Sequence, residues 1–557
     1  MATNTEISRL FGVYAELLQL HEKDEKLAAL LNSAAYRLSQ SVHEVMEMKK
    51  QELEKSFPSS IAKIISTLKL TGTIASLDEL LQITPAGLFE MMRIKGLGGK
   101  KLAVLWKKAK IDTVDHLLEA AENGTLNDLK GFGPKTQSNI IAAIKSYKEQ
   151  KERFHYAFVA DVADNLVAVL NEQFKRNVSS LCGEIRRQQL TVESIEIITT
   201  ISPEKIKVAA LRKAFIYHSF ADNVTTGHTM DEIPVTIYHT SKTDFYEELF
   251  VRTGSAAHVN KIKRKLKGHK GFTSEDEIYS LSGLPYISPE LREDLAEWQF
   301  IKHKNKLVET DDIRGVVHNH TTWSDGVDSL EDFVNACKKK GFEYCVISDH
   351  SKNAHYAGGL KEEKLRRQFK AIDMLNKKMK PFVIFKSIEC DILVSGELDL
   401  DDEILRECDL VIVSIHQQLK MDEDRATKRL IKAIENPYTS ILGHMTGRKL
   451  LIRQGYPVNV RKVIDACARN NVVIEINANP YRLDMDWSHI PYALDKGVLI
   501  AINPDAHSIG EIDNIRWGVS AARKGGLTTH RTWNSLDALA IKNWLEIRRK
   551  KHLQPVR

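Results

Sequence analysis

The second half of this chain sets an acid or an imidazole at the end of one β-prone apolar run after another. GVVHNH closes on His318 and His320, YCVISDH on His350, VIFKSIE on Glu389, LVIVSIH on His416, SILGH on His444, and VLIAINPDAH on Asp505 and His507. A further run, VVIEINANP, carries Glu475 and Asn477 in a similar place. Amphipathic stretches of helical length separate these runs, the rhythm of repeated βα units from about residue 311 onward. In a parallel β/α barrel the C-terminal ends of the strands meet on one rim. Within a strand, residues two apart project to the same side, so His318 and His320 are expected to leave theirs together. One pocket is therefore expected to gather His318, His320, Asp325, His350, Glu389, His416, His444, Asp505 and His507.

A single histidine at a strand end is more often a satisfied core or surface residue than a ligand. Repetition at the same end of successive strands is what chance does not supply. Imidazoles mixed with carboxylates and no thiolate suit Zn²⁺, Mn²⁺ or Fe²⁺ better than a structural zinc knot. Nine donors exceed what one ion can take, so two or three ions are implied.

Upstream of residue 311 the pattern differs. Residues 1–150 read as helical, with apolar positions three and four apart in ISRLFGVYAELLQL and LAALLNSAAYRLSQSVHEVM. Inside them IKGLGGKKLAVL (94–105) and LKGFGPKTQSNI (129–140) form a weak repeat: apolar, Lys, Gly, apolar, Gly, then a basic residue opening a helix. Glycines there let a backbone approach a phosphate, and the N–H groups of the following helix bind the anion. Gly96, Gly98, Lys100, Gly131, Gly133 and Lys135 are thus candidates for DNA contacts that hold the backbone without reading sequence. Residues 151–310 mix helix and strand, with LTVESIEIIT and IPVTIYHT as strands, and LVETDDIRG reads as the connection to the second half. The 557 residues are too many for one core, so about two to four domains are expected. A net charge of +6 permits a polyanion partner without requiring one. Six cysteines without a CxxC pair suggest reduced thiols. No basic-then-apolar leader opens the chain and no run approaches the ~20 apolar residues of a membrane span. A cytoplasmic protein without membrane association is expected; protein partners stay open.

HNHTTWSDG, SDH, IECDI, SIH, GHMTG and NPDAH resemble the signature motifs of the PHP (polymerase and histidinol phosphatase) phosphoesterases. The resemblance implies a distorted (β/α)7 barrel over residues 311–557 holding three ions. It implies that His318, His320, Glu389 and Asp505 hold one ion. Glu389 then bridges to a second, held by His416 and His444, and Asp325, His350 and His507 hold the third. Glu389 and Asp505 stand at the reacting centre, and Lys352, Arg448 and Arg482 are candidates to hold phosphoryl oxygens. The two glycine elements resemble helix-hairpin-helix turns.

LCGEIRRQQLTVESIEIITT resembles the palm of the X-family DNA polymerases, and RTGSAAH resembles their nucleotide-binding turn. The whole chain is similar to the bacterial PolX family of DNA polymerases with 3′–5′ exonuclease activity. That similarity implies a lyase-like helical domain over 1–85, a fingers-like helix-hairpin-helix region over 86–150, a palm and thumb over 151–310, and the PHP barrel. The family's three Mg²⁺-binding carboxylates fall on Ser194, Glu196 and Thr236, and its triphosphate-binding Ser falls on Glu184. Hydroxyls are poor Mg²⁺ ligands beside carboxylates, and an anion at Glu184 repels a nucleotide by ~1 kcal/mol or more when partly desolvated. Arg186, Arg187, Thr253, Gly254 and Ser255 remain as candidate phosphate contacts of a degenerate polymerase site. The lyase lysine's position falls on Ile64, beside Lys63. The expected function is DNA repair: a metal-binding hydrolase that trims DNA 3′ ends with Mn²⁺, Zn²⁺ or Fe²⁺. A gap-filling polymerase, or a DNA-binding scaffold with an idle barrel, is the alternative.

Overall fold

The computed structural model describes residues 4–39, 45–46, 48–94, 96–150, 152–175, 178–208, 215–302 and 305–553, so Lys95 of the first glycine element lies outside it. The chain divides into two compact units, Met1–Glu152 and Arg153–Arg557. The smaller is helical, and its buried side chains form one cluster from Ile7 to Ile144. The expected boundary near residue 85 falls inside that cluster. Helices Gly99–Ala109 and Pro134–Gln150 begin just after the two glycine elements. Gly96 and Gly131 both adopt left-handed φ, at 91° and 92°, a conformation that costs glycine little.

The larger unit opens with β1 (Phe154–His155), β2 (Ser179–Leu181), β3 (Thr191–Val192), β4 (Ile195–Thr199), β5 (Ile216–Ala221), β6 (Val224–His228) and β7 (Pro234–His239). β1 pairs with β3, and the others form a sheet in the order β2-β4-β7-β6-β5, in which Glu196 stands beside Thr236.

From residue 315 the strands are parallel: β8 (Gly315–Asn319), β9 (Tyr344–Ile347), β10 (Val383–Lys386), β11 (Glu389–Asp391), β12 (Val411–Ser414), β13 (Thr439–Leu442), β14 (Val473–Asn477) and β15 (Ile500–Asn503). They form two sheets, β10-β9-β8 and β11-β12-β13-β14-β15. Bridges Asn319↔Ala506 and His350↔Glu389 join the sheets at both ends, so the strands follow one another around a ring. Nearly every residue of these strands is buried, as expected when both faces are covered. Alternate residues divide between two cores. Val317, Val346, Ile412, Ile441, Val473 and Ala501 pack with Trp533, Ile541 and Leu545. Val316, Ile347, Val413, Leu442, Ile474 and Ile502 pack against flanking residues such as Phe333, Ile372 and Leu430. Helix Leu330–Lys339 shows why the connections are helical: Ser329 accepts from Asp332 N–H, acids fill the first turn and lysines the last.

LVETDDIRG is not a free connection. Val308 is fully buried and donates its N–H to Leu527 O (3.0 Å), so Leu307, Val308 and Ile313 anchor this segment in the core while residues 309–311 stay exposed. All six cysteines are buried and unpaired. No helix among the described residues is long and apolar enough to cross a membrane.

Candidate metal centre

The nine side chains expected to meet on one rim do meet. Glu389 lies at their middle. Its Oε1 is 3.2 Å from His318 Nε2, 3.3 Å from His416 Nε2 and 3.1 Å from His444 Nε2. Its Oε2 is 2.9 Å from His350 Nδ1 and 3.6 Å from His320 Nε2. Asp505 Oδ1 approaches His320 Nε2 at 3.1 Å and His318 Nε2 at 3.5 Å. Asp325 Oδ2 reaches His507 Nε2 at 3.5 Å and His350 Nε2 at 3.6 Å. Three sets have donor atoms all within 4.8 Å of one another: His320–Asp325–His350–His507, His318–His320–Asp505, and His350–Glu389–His416. His320 and His350 each belong to two sets, and His444 joins through Glu389 alone.

These separations match a ligand cage. Donors each about 2.1 Å from one ion lie roughly 3.0 Å apart in octahedral and 3.4 Å apart in tetrahedral arrangement. Hydrogen bonding does not account for them fully. His318 Nε2, His320 Nδ1, His350 Nδ1, His416 Nδ1, His444 Nδ1 and Glu389 Oε2 are buried without an aligned hydrogen-bond partner. Buried polar atoms left so are costly and rare, and several here share one short arc of space.

The way His318 enters the site differs from simple strand alternation. β8 and β9 slip register between Val316 and Asn319, and His318 takes a left-handed φ of 64°. A bulge re-aims the side chain, a device common beside active sites. Asp505 also takes a left-handed φ, 52°.

Three further acids hold the donors. Glu475 accepts from His318 Nδ1 (2.6 Å), His444 N–H (3.1 Å) and Asn503 Nδ2 (2.8 Å), which leaves His318 Nε2 facing the cluster. Asp391 accepts from His416 N–H (3.2 Å). Asp349 accepts from the N–H groups of Thr321 (2.9 Å) and Ser324 (3.0 Å) and so anchors the loop bearing Asp325. Strand-end position marks Glu475 and Asp349 in the sequence, but nothing there separates a donor from its support.

Charge in the cluster is balanced by protons. Burial disfavours the charged His318 ring, yet Glu475, Glu389 and Asp505 hold it well above its ordinary value. Against the same burial, Glu389 and Asp391 lift His416 to about 10. His507 rises to about 9 against burial through Asp325 and Asp505. Burial and the neighbouring His507 and His350 push His320 down to about 3. Burial alone raises Glu389 and Asp505, but His416 and His318 outweigh it at Glu389, and His318 and His320 at Asp505, leaving both well below the carboxylate range. Cations entering such a cage displace these protons.

Of the basic residues expected nearby, Arg482 is in place, its Nε 3.8 Å from Asp505 Oδ2. Lys352 is held by Glu362 (2.6 Å), and Arg448 by Asp486 (2.6 Å) and the carbonyls of Arg482 and Leu483. The motif GHMTG points at Arg448, whereas Lys449 and Arg453 beyond it form no ion pair with an acid among the described residues.

The residues aligned with a polymerase site are otherwise engaged. Arg186 binds Thr253 Oγ1 (2.8 Å) and both oxygens of Glu275 (3.0 and 2.5 Å). Arg187 binds Glu293 (2.9 Å) and Thr253 O (2.7 Å). Glu184 pairs with Arg153 at 2.8 Å. Glu196 accepts from Tyr238 Oη (3.0 Å) and lies so close to Gly183 that a Cβ there would stand 1.6 Å from its Oε2. Ser194 lies in the turn before β4. A Cβ on Gly254 would stand 2.8 Å from Val259 Cγ2, and Ser255 caps helix Ala256–Leu266 by accepting from His258 N–H. In the smaller unit Lys100 pairs with Glu25 at 2.7 Å, and Lys135 is exposed.

Among known proteins, the chain is similar to the DNA polymerase/3′-5′ exonuclease PolX of Bacillus subtilis (strain 168). The two are 33% identical over 565 residues, 97% of this chain and 98% of that protein. A probable phosphatase of Thermoanaerobacter sp. (strain X514) is 28% identical over 245 residues, 42% of this chain and 95% of its own length. Another, from Tolumonas auensis, is 24% identical over 214 residues, 35% of this chain and 80% of its own. No family model matches the chain.

Proposed function

The chain belongs to the PolX family, and from that premise we propose that it is a DNA-repair phosphodiesterase which removes nucleotides from DNA 3′ ends at a PHP-type (β/α)7 barrel, without templated synthesis. The observation that carries this is the convergence of nine imidazole and carboxylate side chains with unaligned donor atoms facing one another. The donor set fits three divalent ions drawn from Mn²⁺, Zn²⁺ and Fe²⁺. By the family resemblance, His318, His320, Glu389 and Asp505 would hold one, Glu389 would bridge to a second held by His416 and His444, and Asp325, His350 and His507 would hold the third. What such ions supply when bound is a nucleophilic water at neutral pH and neutralisation of charge on the phosphoryl oxygens. Glu475, Asp391 and Asp349 orient the donors, and Arg482 faces the position where a non-bridging oxygen would come to rest.

DNA holding is assigned to the smaller unit. Nothing lies within 4 Å of where a Cβ would stand on Gly98 or Gly133, and both have ordinary backbone angles. Internal packing therefore does not require glycine at either position, whereas close approach of a phosphate backbone does. The palm-like region retains only Glu196 of three carboxylates and has its arginines bound to acids, so it serves as a platform.

Purified protein given Mn²⁺, a 3′-extended labelled primer-template and no nucleotides is expected to shorten the primer stepwise to nucleoside monophosphates. Primers that stay full length, with wild type and His416→Ala indistinguishable, would overturn the reading. Adding all four deoxynucleotides to His318→Ala is expected to give no extension; extension would restore the polymerase alternative.

A further inference from the structure

Beside the donor cluster, on the Asp505 side, three cations gather, Lys449, Arg453 and Arg482, of which, among the described residues, only Arg482 pairs with an acid, Asp505, at 3.8 Å. The segment Lys449–Arg453 folds back on itself through Lys449 N–H to Arg453 O (2.8 Å) and Arg453 N–H to Lys449 O (2.7 Å). Leu450 N–H donates to Tyr481 O at 2.6 Å, which pins this segment to the strand end bearing Arg482. The three cations are close enough to act on one another: burial first, then Arg482 and Arg453, hold the Lys449 ammonium low, and burial followed by Arg482 does the same to Arg453. Arg453 Nη2 donates to Gly447 O (2.7 Å), but its buried Nε has no partner. Like charges brought together and partly desolvated are unfavourable until an anion joins them. Lys352 and Arg448, by contrast, already have carboxylates.

An aromatic surface adjoins these cations. Tyr481 packs edge-on against His155 at 5.0 Å and tilted against Phe158 at 5.4 Å between centroids. Both outer rings stay open, Phe158 at 51% and Tyr481 at 44% exposure. His155 and Phe158 come from the start of the palm-like region, so the surface spans that region and the ring. A half-exposed aromatic pair next to cations in excess over acids matches the chemistry of a nucleotide, a base joined to a phosphate.

We propose that Lys449, Arg453 and the Tyr481–Phe158 surface form a nucleotide subsite beside the metal centre, which binds the phosphate and base adjoining the scissile linkage and selects polynucleotide ends over small phosphate esters. This rests on the phosphoesterase reading above. A small monoester has no second phosphate for Lys449 and Arg453 and no base for Tyr481. Arg482, nearer Asp505, stays with the scissile group.

The test compares two substrates and one binding signal. Full-length protein with Mn²⁺ is given a single-stranded oligonucleotide and, separately, bis(p-nitrophenyl) phosphate, which has one phosphate and no base. Lys449→Ala is expected to raise KM for the oligonucleotide about tenfold, the loss of one charge-assisted contact, and to lower the oligonucleotide-to-nitrophenyl ratio of kcat/KM by a similar factor. With Ca²⁺ in place of Mn²⁺, a 3′-terminal 2-aminopurine is expected to be quenched on binding to wild type and to Tyr481→Phe, and not to Tyr481→Ala. Unchanged ratio and unchanged quenching in both alanine variants would overturn the subsite. An equal loss on both substrates would overturn it as well, since that marks damage to the centre. Wild type that cleaves neither substrate would bring down the phosphoesterase reading and the subsite with it.

Discussion

Around Arg186 and Arg187 each guanidinium meets a carboxylate inside the fold: Glu275 closes on Arg186 and Arg292, and Glu293 on Arg187 and Lys524. Around Glu389 the acids and imidazoles crowd within about one ligand-to-ligand spacing, yet several donor atoms stay unaligned. In the first cluster every charge meets an opposite charge and only Arg292 Nη2 is left unaligned, whereas in the second the unaligned atoms belong to five imidazoles and the central carboxylate. Buried charge therefore does not by itself mark a working site; incompleteness does. The first cluster has a mechanical consequence. Lys524, fully buried on helix Ile515–Lys524, donates to Arg187 O and Glu293 Oε1, both at 2.8 Å, and Arg523 binds Glu290 at 2.8 Å. Groups aligned with a nucleotide pocket thus join the palm-like region to the ring.

The contrast breaks first at the donor cluster. His416→Ala or Glu389→Gln is expected to cut 3′-end hydrolysis on the order of 10³-fold or more, measured on a labelled primer, with the fold retained by circular dichroism. Chelation should abolish the activity and Mn²⁺ restore it. Next comes the joint. Lys524→Met leaves Glu293 short of a buried partner and should destabilise the larger unit by about 3 kcal/mol, read by denaturant titration; a loss within error would mean the joint is not electrostatic. Glu475→Gln weakens the bond that orients His318 and should lower metal affinity or activity about 10- to 100-fold, with the deficit relieved by added Mn²⁺.

The smallest effect is a pH slope. Burial raises the Glu275 carboxyl, but Arg186 and Arg292 outweigh it and leave it below its ordinary 4.5. Its contribution to stability is then complete above the unfolded value and lost as pH falls through the folded one. Wild-type stability should decline below about pH 4.5 more steeply than that of Glu275→Gln.

Residues at the ends of apolar runs were legible because a ring of parallel strands has one functional rim, and that constraint is written in local pattern alone. The left-handed φ of Gly96 and Gly131 was not read from the sequence, which marked them only as letting a phosphate approach. Arg448 and Lys352 show where pattern stops. Both stand beside metal-site motifs, yet Asp486 and Glu362 claim them from distant or following segments, while Lys449 and Arg453 remain without an acid.

Composition, periodicity and motif spacing by themselves determined the helical front, the βα repeat and the nine donors, whereas the absence of two palm carboxylates came from the resemblance to X-family polymerases. Only the folded chain decided that His318 turns inward through a bulge, that Glu475 supports a donor, that Val308 belongs to a core, and that Arg186 and Arg187 are already paired. Strand ends are set by neighbours in sequence, whereas a charge's partner is set by whichever group the packing brings within a few ångströms of it.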